Sequence, residues 1–373
     1  MADRYPHQNS AQALYWPAFG PAFFRGWNSN DTNNHDLLCA EMSRLAYADR
    51  PTVGSSLQKI GFVLEHWIGG ETKEQRGATH GTDGFVATSA NPQLRVLAFR
   101  GTESNKPEDI LTDALATSEV WDPQNPSRGK VHRGFKQVYA LVAEDIRRVL
   151  AKPGGQLLIT GHSLGAGLAT LAAADHAHLK PALVTFGSPL VGDSAFKQTL
   201  SGLTLHRFVD CCDLVTRIPP ERFDERNIER LLAELIPRSP LPDVMSRGLI
   251  KAVAAGLASA LSGLNVQPEY EHVCDRAYGD HAGKILTPAT PAAIEADQNA
   301  ARAAYQGGFT PDLKHLLQQL VSAVFAAGVA RDPTAIRDAV RNFGARLFQG
   351  DPVPLRDLAD HAPINYVTLF TGR

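Results

Sequence analysis

Residues Gly161-His162-Ser163-Leu164-Gly165 join the apolar run QLLIT (156–160) to the small-residue stretch LGAGLATLAAADHAH. A serine hydroxyl is a poor nucleophile unless it is held in the open beside a base. A very tight strand-to-helix turn exposes it, and such a turn crowds the backbone so much that the positions two before and two after need glycine. Gly161 and Gly165 occupy those positions. Gly167 and Ala169 let the following helix lie close to a sheet, while its amino end aims backbone N–H groups and a positive dipole at a reaction centre. The chemistry expected is nucleophilic acyl transfer from Ser163. The plainer alternative is a glycine-rich turn whose serine merely caps the helix.

A nucleophile needs a scaffold, and the chain around it alternates strand and helix. DLLCAEMSRLAYA (36–48) has helical spacing, with Asn34 or Asp36 as candidate N-caps. IGFVLEHWI (60–68), GFVATS (84–89) and LRVLAF (94–99) predict strands. FKQVYALVAEDIRRVLA predicts a helix, and QLLIT, ALVTFG (182–187) and LHRFV (205–209) predict further short buried strands. This order implies a mainly parallel sheet with helices on both faces. After Pro219 the pattern changes to charged and apolar helical stretches. The run Ala252–Leu264 has no charged residue, and Leu249, Val253, Leu257 and Leu261 form a stripe at four-residue spacing; the segment reads as a lid or membrane-seeking helix, or as a helix packed on the core. DLKHLLQQLVSAVFAAGV and PTAIRDAVRNFGARLF predict two more helices before a polar tail.

Composition narrows the function. With 373 residues and a net charge of -2, the chain has room for a sizeable core and no general electrostatic reason to bind nucleic acid or an acidic membrane. Its start lacks the marks of a secretory signal, so a cytoplasmic location is expected, with export as a processed form or by a signal-independent route left open. The four cysteines, Cys39, Cys211, Cys212 and Cys274, read as reduced thiols. They lack CxxC or Cys/His ligand spacing, so neither a metal nor another cofactor is expected.

An ordered series of motifs carries a family resemblance: LAFRGT (97–102), LTDAL (111–115), KVHRGF (130–135), ITGHSLGAGLATLAA, VTFGSPLVGD (184–193), DLVTRIP (213–219) and DHAPINY (360–366). In this series the chain resembles the class 3 lipases, which are alpha/beta-hydrolases. The resemblance implies one alpha/beta-hydrolase domain over residues 1–373, with a mainly parallel central sheet and helical insertions at about 221–265 and 280–350 forming a cap or lid.

It also implies roles. Ser163 matches the nucleophile, Asp213 the triad acid and His361 the triad base, in the chain order expected for this fold. Asp210 is the alternative acid and His272 the alternative base; the family pattern gives His272 a structural place, and His132 and His162 read as packing residues. Oxyanion donors are the backbone N–H of Leu164 and, by resemblance, Thr102. Leu190 and Asp193 replace an arginine and an asparagine common in the family. The implied function is a serine hydrolase of carboxylic, lipid acyl esters, with a phospholipase, an acyltransferase or a non-catalytic ligand binder as alternatives. The implied partners are an acyl-ester or lipid substrate and, peripherally, a lipid interface, with neither nucleic acid nor a transmembrane span.

Overall fold

The computed structural model describes residues 7–15, 20–69, 84–91, 93–101, 118–222, 224–235, 269–305 and 355–371, with isolated positions at 250, 251, 254, 255, 258, 319, 323, 335, 338, 342 and 353. Ten strands are described: β1 (Phe62–Ile68), β2 (Gly84–Ala90), β3 (Gln93–Phe99), β4 (Ser118–Val120), β5 (Lys130–His132), β6 (Gln156–His162), β7 (Ala182–Phe186), β8 (Thr204–Asp210), β9 (Arg276–Gly279) and β10 (Ile285–Leu286). Eight form one sheet in the order β1-β2-β3-β6-β7-β8-β9-β10, and β4 pairs with β5 separately. From β3 to β9 every neighbouring pair is parallel; β1, β2 and β10 add antiparallel edges.

The helices that matter for the site are α1 (His35–Leu45), α2 (Arg50–Lys59), α3 (Arg133–Leu150), α4 (Leu164–Asp175), α5 (Ser194–Gln198), α6 (Glu225–Leu235), α7 (Pro291–Ala304), α8 (Arg356–Ala359) and α9 (Pro363–Thr371). Asn34, rather than Asp36, caps α1 by accepting from Leu37 N at 3.1 Å. Asp36 instead pairs with His206 Nδ1 at 2.6 Å.

Alternation along each strand divides the core in two. Val96 and Ala98 of β3, Leu158 of β6, and Val184 and Phe186 of β7 pack with α1 and α9. Leu97 and Phe99, Leu157 and Ile159, and Leu183 face α3 and α4 on the other side. Helix α3 covers its sheet face with Phe135, Tyr139, Val142, Ile146 and Val149, spaced three and four apart. Helix α4 is buried all round from Gly165 to Ala174, which its run of Gly and Ala permits. A parallel sheet with helices on both faces is the alpha/beta-hydrolase arrangement that the motif order implies.

The carboxyl end of the chain departs from expectation. The stretch that reads as a polar tail is helical and buried: Ile364, Tyr366, Val367 and Leu369 of α9 belong to the core. Phe370 stands edge-on to Phe208 at 5.0 Å, and Tyr366 edge-on to Phe186 at 5.8 Å. Asp360, His361 and Asn365 give the stretch its polar look, and all three are buried through specific partners rather than solvated.

The two helices expected between 311 and 348, and the apolar run Ala252–Leu264, lie outside the described residues apart from isolated positions. Among the described residues no helix is long and apolar enough to cross a membrane.

Candidate active site

The carboxyl ends of β3, β6, β7 and β8 share one edge of the sheet, where open α/β sheets place their ligands. Ser163 leaves β6 there with φ 59° and ψ −131°, a conformation non-glycine residues avoid. The turn is held from both sides. Ser163 N donates to Phe186 O at 3.0 Å, and Ala166 N donates back to Ser163 O at 2.9 Å.

The glycine requirement is steric. A Cβ on Gly161 would stand 2.2 Å from Gly165 O, and one on Gly165 would stand 2.5 Å from Phe99 O. Both distances are far inside contact, so the strand and helix can meet only where these side chains are missing. The serine hydroxyl makes no cap bond to α4, so capping is not what it does.

Asp213 follows β8 and is fully buried. His361 Nδ1 lies 2.8 Å from Asp213 Oδ2 and 3.0 Å from Oδ1. Asp213 Oδ1 also accepts from Val215 N at 2.9 Å, and the Tyr366 hydroxyl donates to Oδ2 in a short bond. Both Asp213 oxygens face Nδ1 of His361, so Nδ1 is the donor of this pair and Nε2 is left as the nitrogen that can accept. That Nε2 is buried and has no hydrogen-bond partner among the described residues. A buried polar atom left open in this way is costly, about 1–3 kcal/mol, and asks for an explanation.

Asp213, not Asp210, is the carboxylate that meets the histidine. Asp210 serves through its backbone: its carbonyl accepts from Asp213 N at 2.8 Å, and its N–H donates to the Tyr366 hydroxyl at 3.3 Å. Tyr366 thus receives from one aspartate and gives to the other. Burial, then the charge of Asp213, pushes its phenol well above its ordinary pKa, so it remains a donor. His272 lies apart from this arrangement, its Nε2 engaged by Thr216 O at 2.8 Å.

His162 is more than a packing residue. Its Nε2 donates to the backbone carbonyl of His361 at 2.8 Å, and its Nδ1 accepts from the Tyr47 hydroxyl at 2.9 Å. Burial, reinforced by the neighbouring His361, depresses its pKa well below the usual histidine value, so the ring stays neutral and keeps this donor and acceptor assignment. The two imidazoles lie 4.5 Å apart between ring centres. His132 caps α3, with Nδ1 accepting from Phe135 N at 3.3 Å.

Gly187 is a site residue that motif matching alone does not single out. It has φ +57°, and a Cβ there would stand 2.8 Å from Asp213 Oδ2 and 3.0 Å from His361 Nδ1. Gly187 and Tyr366 both sit inside the motifs VTFGSPLVGD and DHAPINY, so a signal is present. Tyr47, at the end of a helix far from any motif, has none. Asp193, the departure from the family pattern, caps α5 through Phe196 N at 2.8 Å and holds Lys130 N at 3.0 Å.

Of the two expected oxyanion donors, Leu164 is the first residue of α4. Thr102 lies outside the described residues, as does the stretch that follows it. Gly101, the residue before Thr102, passes close to Ser163: a Cβ on it would be 3.1 Å from Ser163 Cβ. All four cysteines are free thiols.

Residues 96–223 match the family model described as Lipase (class 3). Across this segment, about a third of the chain, the sequence is similar to the class 3 lipases. It is 31% identical over 156 residues to a lipase of Rhizopus niveus, covering 38% of this chain and 39% of that protein. It is 30% identical over 182 residues to phospholipase A1-II 4 of Oryza sativa subsp. japonica, covering 40% and 45%. The chain therefore spans about two fifths of the length of these curated relatives. Among solved structures, lipase II from Rhizopus niveus aligns at 24% identity over 52% of this chain and 77% of that one, with a TM-score of 0.42. The family segment contains Ser163 and Asp213, whereas His361 lies well beyond it.

Proposed function

We propose that this chain is a serine hydrolase of carboxylic esters, acting on lipid acyl esters through an acyl-enzyme on Ser163. The observation that carries the reading is the open, buried Nε2 of His361, whose ring is oriented by Asp213 at 2.8 Å. That atom needs a proton to take. Ser163, held at the strained turn, is the hydroxyl assigned to supply it.

In the first half-reaction Ser163 Oγ attacks the ester carbonyl carbon while His361 Nε2 takes the hydroxyl proton. Negative charge moves to the carbonyl oxygen, to which the Leu164 backbone N–H at the start of α4 would donate, with Thr102 as the second donor only by family resemblance; losing one such donor typically costs about a hundred- to a thousandfold in turnover. The C–O bond to the alcohol then breaks, and His361 returns the proton to the departing oxygen. In the second half-reaction water attacks the acyl-enzyme, again through His361, releasing the carboxylic acid and restoring Ser163. Asp213 keeps Nδ1 protonated and stabilises the imidazolium that forms in each half.

The relatives bear the names lipase and phospholipase A1, which makes glycerolipid acyl esters the substrate class to test first. An acyltransferase would use the same residues with an alcohol in place of water. A fluorophosphonate probe with a panel of esters from acetyl to oleoyl, one phospholipid included, tests the proposal. Labelling and turnover in the wild type, both lost in Ser163→Ala, are expected. A folded wild type that neither labels nor turns over any ester would refute the enzyme and leave a ligand-binding protein.

A further inference from the structure

The two residues that precede Asp213 and His361 are bonded to each other. Asp360, fully buried, accepts from Cys212 N at 3.1 Å through Oδ2. Its other oxygen lies 3.0 Å from Nε2 of His7 and 2.6 Å from Nε of Arg356. One carboxylate therefore ties the loop carrying the acid to the loop carrying the base, and the amino-terminal segment reaches 353 positions along the chain to hold it. Burial alone would push the Asp360 carboxyl up, but the His7 bond and the Arg356 charge outweigh it and hold the group below the usual carboxylate range. The anion is thus a permanent acceptor for Cys212.

Residues beside His7 repeat the attachment. Gln8 N donates to Asn365 Oδ1 at 2.7 Å, and Asn365 Nδ2 returns to Gln8 O at 2.8 Å while also donating to Ala359 O at 3.0 Å. Val353 N donates to Asn9 O at 2.9 Å. Residues 7–9 therefore hold Asp360 and Asn365, on either side of His361 in the sequence, as a short strap.

We propose that His7 is a positioning residue for the hydrolysis: through Asp360 it sets the backbone of His361 in register with Asp213, so that Nε2 faces Ser163. The inference rests on the triad reading above. His7 touches neither substrate nor reacting atoms, so its loss acts on the geometry of proton transfer, to which turnover is steeply sensitive, a misplacement of about 1 Å costing on the order of a hundredfold. Substrate binding, made elsewhere in the site, is untouched.

The test compares His7→Ala and His7→Gln in the full chain, measuring kcat and KM on a short-chain ester, the fluorophosphonate labelling rate, and hydrogen exchange at residues 355–362. The alanine variant should lose about tenfold in kcat and in labelling rate at unchanged KM, with faster exchange at 355–362 and unchanged exchange in α3. Glutamine, whose amide can donate to the same oxygen, should restore kcat to within about threefold. If His7→Ala does not fold, His7→Asn, polar but too short to reach Asp360, takes its place. An unchanged kcat in the folded alanine or asparagine variant, or an equal loss in glutamine, overturns the positioning role. Turnover that survives Ser163→Ala would overturn the triad reading instead, so the two failures are distinguishable.

Discussion

Substituting Gly187 by alanine places a methyl group at the joint between Asp213 and His361. The new Cβ would lie 2.8 Å from Asp213 Oδ2 and 3.0 Å from both Nδ1 and Cε1 of His361, which is 0.6 and 0.4 Å short of the 3.4 Å where ordinary contact begins. The carboxylate and the imidazole must therefore retreat by about half an ångström. If a misplacement of about 1 Å costs on the order of a hundredfold, half of that costs about tenfold in kcat. The backbone adds its own penalty, because φ is +57° and an L-residue there costs roughly 1–2 kcal/mol.

Gly202 separates these two effects. It has φ +84°, and a Cβ added there would meet nothing within 4 Å, so Gly202→Ala carries the backbone cost without the steric one. Steady-state kinetics on a short-chain ester, the fluorophosphonate labelling rate and thermal melting form the assay. Both variants should melt a few degrees lower, and only Gly187→Ala should lose kcat, with KM unchanged. A folded Gly187→Ala that keeps kcat within twofold of wild type, or a Gly202→Ala that loses as much, would refute the reasoning.

Tyr366→Phe removes a donor from the buried Asp213 carboxylate and an acceptor from Asp210 N, and should cost about 1–3 kcal/mol of stability in urea unfolding together with a several-fold drop in kcat. His162 and His272 are both held neutral, burial being the first cause, so the unfolded chain binds protons that the folded one does not as pH falls below their ordinary value. Their contribution is present above that value and lost below it, by about 1.4 kcal/mol for each histidine between pH 7.5 and 5.5. Urea titrations should show this loss in wild type and a smaller one in His162→Asn; His206, raised by its bond to Asp36, runs the opposite way in both proteins. If the apolar segment between Gly248 and Leu264 lines the acyl site, Leu257→Glu should weaken turnover of long-chain esters more than short ones, and equal loss across chain lengths would count against that role.

The turn that carries Ser163 is legible from five residues, because a strand-to-helix turn this tight has few solutions and Gly161 and Gly165 are imposed by distances of 2.2 and 2.5 Å. The mainly parallel core with helices on both faces is legible for a similar local reason: short β-branched and apolar runs alternating with amphipathic helices can bury both faces of a sheet in few ways. The buried tail is not legible, because Asp360, His361 and Asn365 look solvated in isolation, and nothing local says that each has a buried partner.

What the amino-acid order determined by itself was therefore the set of candidates: one serine in an enforced turn, two aspartates at the end of β8 and just beyond it, and thirteen histidines among which a motif favoured His361. The tertiary structure alone set Asp213 rather than Asp210 against the His361 ring, gave His162 its bond to the His361 carbonyl, and brought His7 to Asp360 across the length of the chain. The physical reason is range. Steric crowding at a turn and the period of apolar residues act over a few neighbours, whereas a hydrogen bond between residues 148 positions apart, as between Asp213 and His361, exists only once the sheet has set both loops at the same edge.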